Sequence, residues 1–300
     1  MLDQSSQEHP MDDIPVRQLR FKVDALSDDA LVWSRSSPEF SMFINALGVH
    51  VPYFERFLVS VMRAYREEIS DPALLTDVQA IIGQEAHHAF NFVKLNQRLA
   101  QKYPGIGQLD AKAKSHFASL PKNKSKRFQI GHVAGYETFT FLAGAIILDR
   151  YDELMADADP ELRSLWVWHQ VEEVEHGAVA FDFYKAFYGS HEWYRRYMVF
   201  YAFLHILKET GLAYHQIVKR ERPTLLGKIK SWRFGLKFGW DLFVNSLPVY
   251  ARNYHPRHHP ICNEAQNPLA VSWRHFHAAG NDPHALTNED MLKVAGYKSV

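Results

Sequence analysis

The sequence predicts an all-α protein, a four-helix bundle followed by additional helices. Three observations carry that prediction. Apolar residues recur at helical spacing along the chain, and strand-like alternation is nearly absent. Asp71-Pro72 and Asp159-Pro160 each set a capping acid before a proline at the first helical position. The helices opened by these two pairs carry the same polar residues at the same distances, as an internal repeat would.

Residues 1–38 read as a polar N-terminal arm. Its start, "MLDQSSQEHPMDDIPVRQ", has no apolar core of the kind a signal peptide needs. The bundle is expected over 39–189, with long helices at about 39–69, 72–101, 124–155 and 160–189. A linker containing "KYPGIGQLD" and a short helix near 111–120 divide the two pairs. Helices at about 191–221 and 224–248 follow, then an irregular end rich in Pro, His and Asn. Residues 190–300 are expected to pack on the bundle, giving one domain overall.

Composition narrows the class. With 47% apolar residues among 300, one sizeable core can be buried. Lys+Arg and Asp+Glu number 34 each, so charge gives no case for nucleic acid as a partner. The single cysteine, Cys262, excludes a disulfide framework and any thiolate metal cluster. The longest apolar runs, "FTFLAGAIIL" and "YMVFYAFLHIL", fall well short of the roughly 20 residues a membrane span needs. The expectation is a cytoplasmic protein.

The repeat carries the chemistry. A glutamate follows each Asp-Pro at the same distance, Glu85 after Pro72 and Glu173 after Pro160, and a histidine follows each glutamate by one helical turn, His88 and His176. The preceding helices hold "HVPYFE" and "HVAGYE", which end in Glu55 and Glu137. A lone Glu-x-x-His is usually a surface pair. Two copies in one register, each after an aromatic-Glu helix, are a far rarer coincidence.

"HQVEEVEH" at 169–176 needs sorting by direction. At 100° per residue, Glu172, Glu173 and His176 lie about −60°, +40° and −20° from His169, and Glu175 about −120° away. Glu175 therefore reads as a solvated charge. Geometry nearly ties Glu172 with Glu173, and the repeat decides for Glu173, which aligns with Glu85 whereas Glu172 aligns with Gln84.

Four helices would thus carry Glu55, Glu85, Glu137, Glu173, His88 and His176 inward. Buried without cations, such carboxylates repel one another and protonate. Two divalent ions resolve this, as in the dinuclear carboxylate sites of four-helix bundles. Oxygen-rich donors suit iron or manganese better than zinc or copper. No His-Glu-x-x-His is present, so the zinc-protease pattern has no support.

The motifs "FE" at 54–55, "QEAHH" at 84–88, "YE" at 136–137 and "EEVEH" at 172–176 resemble the ferritin-like di-iron carboxylate proteins. More narrowly, they are similar to a bacterial ferritin-like family labelled "predicted metal-dependent hydrolase", in which a late His-Pro segment, here His259-Pro260, closes the chain. That likeness covers about residues 14 to 262. His169, one turn before Glu173, has Ile81 as its counterpart in the other half. His169-x-x-x-Glu173-x-x-His176 resembles di-iron arylamine N-oxygenases. Its spacing would bring His169 and His176 to one shared ion from opposite sides of Glu173, and a core or supporting histidine is the plainer alternative.

These resemblances imply two iron ions, with manganese or an iron–manganese pair as alternatives. The leading expectation is an oxygen-activating oxidase or oxygenase taking dioxygen, a small apolar substrate and electrons from a separate donor. The alternative is a dinuclear hydrolase using a bridging hydroxide. Tyr136 and Tyr53 are candidate catalytic groups that could donate to the cluster, and His50 and His132 lie too far round their helices to ligate the same metal. Phe54, Phe92, Phe139, Phe141 and Trp166 are candidate pocket linings. The stretch 225–243 alternates basic and apolar residues. Its plain reading is a helix packed on the bundle with lysines reaching to water. The other reading is a peripheral contact with the inner membrane. A homodimer is among the oligomeric states left open.

Overall fold

Asp71 accepts a hydrogen bond from the backbone of Ala73 (2.9 Å), and Pro72 has no N–H to leave unsatisfied, so a 31-residue helix begins there. Asp159 caps the matching helix through Glu161 and Leu162. This computed structural model describes residues 9–263 and 267–294, and among them the elements are all helical. Parts of the arm (1–8) and of the tail (264–266 and 295–300) lie outside the described residues.

The bundle consists of α1 (Pro38–Leu47) with α2 (Val51–Tyr65), α3 (Pro72–Lys102), α4 (Pro104–Asn123), α5 (Lys126–Asp149) with the short α6 (Tyr151–Met155), and α7 (Pro160–Glu175) with α8 (Val179–Tyr188). Helices α2 and α3 pack as one pair, α5 with α7 and α8 as the other, and contacts of α3 with α8 and α2 with α5 join them. After the bundle, α9 (Glu192–Glu221) lies along α5 and α1, and α10 (Leu225–Ser246) covers α1, α5 and α9. The tail holds α11 (Pro260–Asn263), α12 (Pro268–Ala278) and α13 (Asn288–Val294).

Several details differ from the sequence reading, and the helix expected at 124–155 is itself divided at Arg150 into α5 and α6. The helix expected at 39–69 is two, because Pro52 cannot donate the hydrogen bond that would carry a helix past Gly48. The helix expected at 160–189 breaks just after Glu175. Gly177 there lies against Phe141, whose ring a Cβ would meet at 2.7 Å. "KYPGIGQLD" is no linker but the start of α4, and Gly105 is helical so that Gln216 of α9 can approach where a Cβ would stand. The irregular tail contains α12, capped by Asn267 through Leu269 and Ala270, the same capper-Pro device as Asp71-Pro72.

Helix α5 is long and apolar enough to cross a membrane by length and composition, and 89% of its apolar window is buried in the bundle. Its place is that of a core helix, with α7, α8 and α9 packed on it.

The arm has only two short 3-10 turns, Val23–Ala25 and Asp29–Leu31, and is otherwise held by side chains of the bundle. Gln84, Asn91 and Arg98 recur every seven residues on one side of α3. Their side chains donate to the carbonyls of Pro15 (3.0 Å), Leu19 (3.1 Å) and Leu26 (2.7 Å). These bonds satisfy backbone groups that an irregular segment would otherwise bury unpaired.

Candidate metal centre

Helix direction brings seven side chains to the middle of the bundle, each 5% exposed or less. They are Glu55 from α2, Glu85 and His88 from α3, Glu137 from α5, and His169, Glu173 and His176 from α7 and the turn ending it. Their donor atoms form two groups, each drawn within 4.8 Å and able to hold a metal ion. One comprises Glu55, His88, His169 and Glu173, and the other Glu85, Glu137, Glu173 and His176.

Glu173 belongs to both. Its Oε1 lies 3.1 Å from His169 Nε2 and 3.5 Å from His88 Nδ1, while Oε2 lies 3.3 Å from His176 Nε2. Glu85 spans the same gap, with Oε1 3.1 Å from His176 and Oε2 3.7 Å from His88. The arrangement is two three-sided cups, Glu55–His88–His169 and Glu85–Glu137–His176, joined by Glu173. His169 and His176 do not flank one ion as the spacing suggested. The Glu173 carboxylate lies between them and turns one oxygen to each, so His169 joins Glu55 and His88 instead.

Electrostatics test whether these residues fit cations. Burial first, then the Glu85, Glu173 and Glu137 carboxylates, push the Glu55 carboxyl well above the usual range. Glu85 moves up for similar reasons, and Glu137 is pushed up to about 8. Burial opposes ionisation of Glu173 too, but His169, His176 and His88 hold it below the ordinary value. Both oxygens of Glu85 and Glu137, Glu55 Oε2, Glu173 Oε1 and His88 Nδ1 have no hydrogen-bond partner. Buried acceptors converging without donors are what a cation would satisfy. The donor set fits two divalent ions.

A second ring of polar contacts orients the imidazoles. His88 Nε2 contacts Glu172 Oε2 (2.9 Å), leaving Nδ1 toward the centre. His176 Nδ1 contacts Gln84 Oε1 (2.9 Å), leaving Nε2 toward the centre. Arg17 of the arm donates from Nη1 to Glu172 (2.9 Å) and Glu175 (2.7 Å), and from Nη2 to Glu175 (2.8 Å). Gln84 Nε2 closes the circuit on Glu175 (3.1 Å). The path His88–Glu172–Arg17–Glu175–Gln84–His176 thus ties one ligand of each group to a buried guanidinium, the kind of support that fixes ring orientation and donor strength. Glu175, expected in solvent, is fully buried, because the arm covers the face of α7 turned away from the centre.

Neither candidate tyrosine bonds to the seven. Tyr53 donates to Asp110 of α4 (2.8 Å). Tyr136 shares a hydrogen bond with His205 of α9, and burial holds its phenol well above the ordinary value, so it stays protonated. Beside His169 lies a small, partly open, almost wholly apolar cavity. Phe92, Phe139 and Trp166 line it as expected, together with Tyr136, His50, and Ile206 and Leu242 from α9 and α10. Phe54 stacks on Tyr136 and Phe141 packs on His259 instead. His50 and His132 are buried with both ring nitrogens unpartnered, and desolvation depresses His50 to about 3. His259 of the late His-Pro segment contacts the Asn245 carbonyl (2.8 Å), a structural tie.

An all-helical fold enclosing two joined carboxylate–imidazole groups defines a candidate dinuclear metal protein. The chain belongs to the family described as "predicted metal-dependent hydrolase", which matches residues 15–263. The match begins just before Arg17 and ends within α11, so it takes in the arm as well as the bundle. Comparison with curated proteins and with solved structures gives no match.

Proposed function

We propose that the protein is a dinuclear metal-dependent hydrolase acting on a small, largely apolar molecule. One observation carries this reading: two ligand groups joined through Glu173 adjoin, at His169, a small apolar cavity. The family's description points to the same reaction class. With two divalent ions bound, such a centre supplies a water of lowered pKa and polarises a carbonyl oxygen.

The chain's residues do the rest. Phe92, Phe139 and Trp166 receive the apolar part of the substrate and exclude bulk water. His50 lines the cavity and stays neutral, so it adds no charge beside the bound substrate. Tyr136, also at the cavity, keeps its proton. Glu172 and Gln84 hold His88 and His176 in the ring orientations the centre needs. To test the reading, the protein loaded with manganese or zinc is assayed without dioxygen on short esters and amides of apolar acids. Turnover abolished by Glu173→Gln is expected. Turnover that needs iron, a reductant and dioxygen would overturn hydrolysis.

A second reading is an oxygen-activating di-iron oxidase, with manganese or a mixed pair as alternatives. The dry donor set of four glutamates and three histidines, without aspartate, favours it, since this set suits redox-active ions. Dioxygen uptake by the ferrous-loaded protein, with an electron donor supplied, is its measurement.

A further inference from the structure

Helices α9 and α10 leave a large apolar face uncovered. On α9, Trp193, Tyr197, Phe200, Leu204 and Leu207 form one stripe at alternating spacings of four and three, with Trp193 62% and Leu204 50% exposed. On α10 the matching row runs through Leu226, Ile229, Leu236 and Trp240, with exposures of 79% for Leu226, 71% for Leu236 and 63% for Trp240. The rows adjoin where α9 and α10 touch, Phe203 against Phe243 and Leu207 against Gly239. The buried side of α10 is a different one, made by Ser231, Phe238, Leu242 and Ser246. Continuous exposed apolar surface of this extent marks an interaction site.

Charge identifies the partner. Lys230, Arg233 and Lys237 flank the apolar row of α10. Lys230 approaches Glu39 at 3.5 Å with its side chain 74% exposed, and among the described residues the other two have no ion-pair partner. The acids of the two helices are already engaged: Glu192 with Lys185 and Arg195, Glu209 with Lys112, Glu221 with Lys102, and Asp241 with Arg150. What faces outward is therefore apolar, aromatic and cationic. A second copy docked symmetrically would set these cations against themselves. An anionic lipid surface complements both the charge and the tryptophans, which favour the boundary between headgroups and acyl chains.

We propose that the outer face of α9 and α10 docks onto an anionic phospholipid bilayer. The same helices turn Ile206 and Leu242 inward to line the cavity beside His169, so docking sets the cavity's cover against the membrane. In the hydrolase reading, on which this clause alone rests, the substrate class becomes molecules that partition into lipid.

The test is co-sedimentation of the full chain with vesicles of phosphatidylcholine, with and without phosphatidylglycerol, at low and high salt. It needs no turnover, so its failure and failure of the hydrolase reading are separable. Binding to the phosphatidylglycerol vesicles, weakened by salt, is expected. Each cation near such a surface contributes about fivefold, so Lys230→Gln/Arg233→Gln/Lys237→Gln should weaken partitioning by about a hundredfold. Leu236→Asp/Trp240→Asp should abolish binding while circular dichroism stays that of the wild type. The proposal is overturned if no vesicle pulls the protein down, or if the charge variant binds as the wild type does. It is equally overturned if the wild type is a dimer that ignores vesicles and the Leu236→Asp/Trp240→Asp variant a monomer, which would make a second copy the occupant.

Discussion

Replacing Arg17 by methionine removes the guanidinium that neutralises Glu172 and Glu175 while keeping much of the side chain's bulk. Both pairs are sealed, with side-chain exposures of 3% for Arg17 and 0% for each carboxylate. Removing one partner of a buried pair strands the other charge and costs about 3–5 kcal/mol. An unfolding entropy of about 2.1 cal/mol/K per residue gives this chain about 0.6 kcal/mol per kelvin at its midpoint, so about 4 kcal/mol lowers Tm by about 6 °C. A second effect falls on metal. Glu172 holds His88, and weakened support of that kind lowers affinity about 10- to 100-fold. Thermal melting of metal-free and metal-loaded protein, with metal titration, measures both. Arg20→Met, at an exposed neighbour in the arm, is the control and should change Tm by less than about 1 °C. An Arg17→Met protein that melts within about 1 °C of the wild type and binds metal as tightly would refute the claim that this pair supports the centre.

Metal-free protein should lose stability as pH rises from 6.5 to 8. Glu137, pushed up to about 8, keeps its proton folded but not unfolded in that window, and the raised pKa values of His88 and His176 act in the same direction. His50 and His169, both depressed to about 3, are neutral folded but half-protonated unfolded at pH 6.5, so each gives back about 0.4 kcal/mol over the window, together less than the loss from Glu137 alone. One proton over 1.5 pH units is worth about 2 kcal/mol, seen as a Tm fall of about 3 °C that bound metal should suppress. Glu55→Gln should impair one bound ion, whereas Glu173→Gln should weaken both, as read by metal analysis after dialysis. Gly135→Ala would set a Cβ 2.5 Å from the Met198 carbonyl oxygen, forcing α5 from α9 at about 1–3 kcal/mol, a Tm loss of about 2–5 °C.

The centre was legible because repetition marks it. Glu55, Glu85, His88, Glu137, Glu173 and His176 recur in matching registers, and one helical turn brings His169 to the same face. Periodicity says which residues share a face of one helix but not what covers the opposite face. Glu175 lies on such a face, and its cover is an arm with no helical or strand pattern to announce it. The available signal was Gln84, Asn91 and Arg98, polar side chains repeated along one side of an otherwise core-forming helix. Helix breaks at Gly48 and Gly177 escaped for a related reason: they follow from Pro52 and from a neighbouring ring, and periodicity registers neither.

Arg17 and Glu175 are 158 positions apart, and their meeting closes the centre. Contacts so distant in sequence form late in folding, after the helices have assembled. The segment that seals the centre is thus among the last to be fitted. Once it is in place, an ion can reach or leave the seven donors only through local opening. A segment fastened by scattered side-chain bonds lifts more easily than any helix of the bundle, so exchange of metal should keep time with the arm.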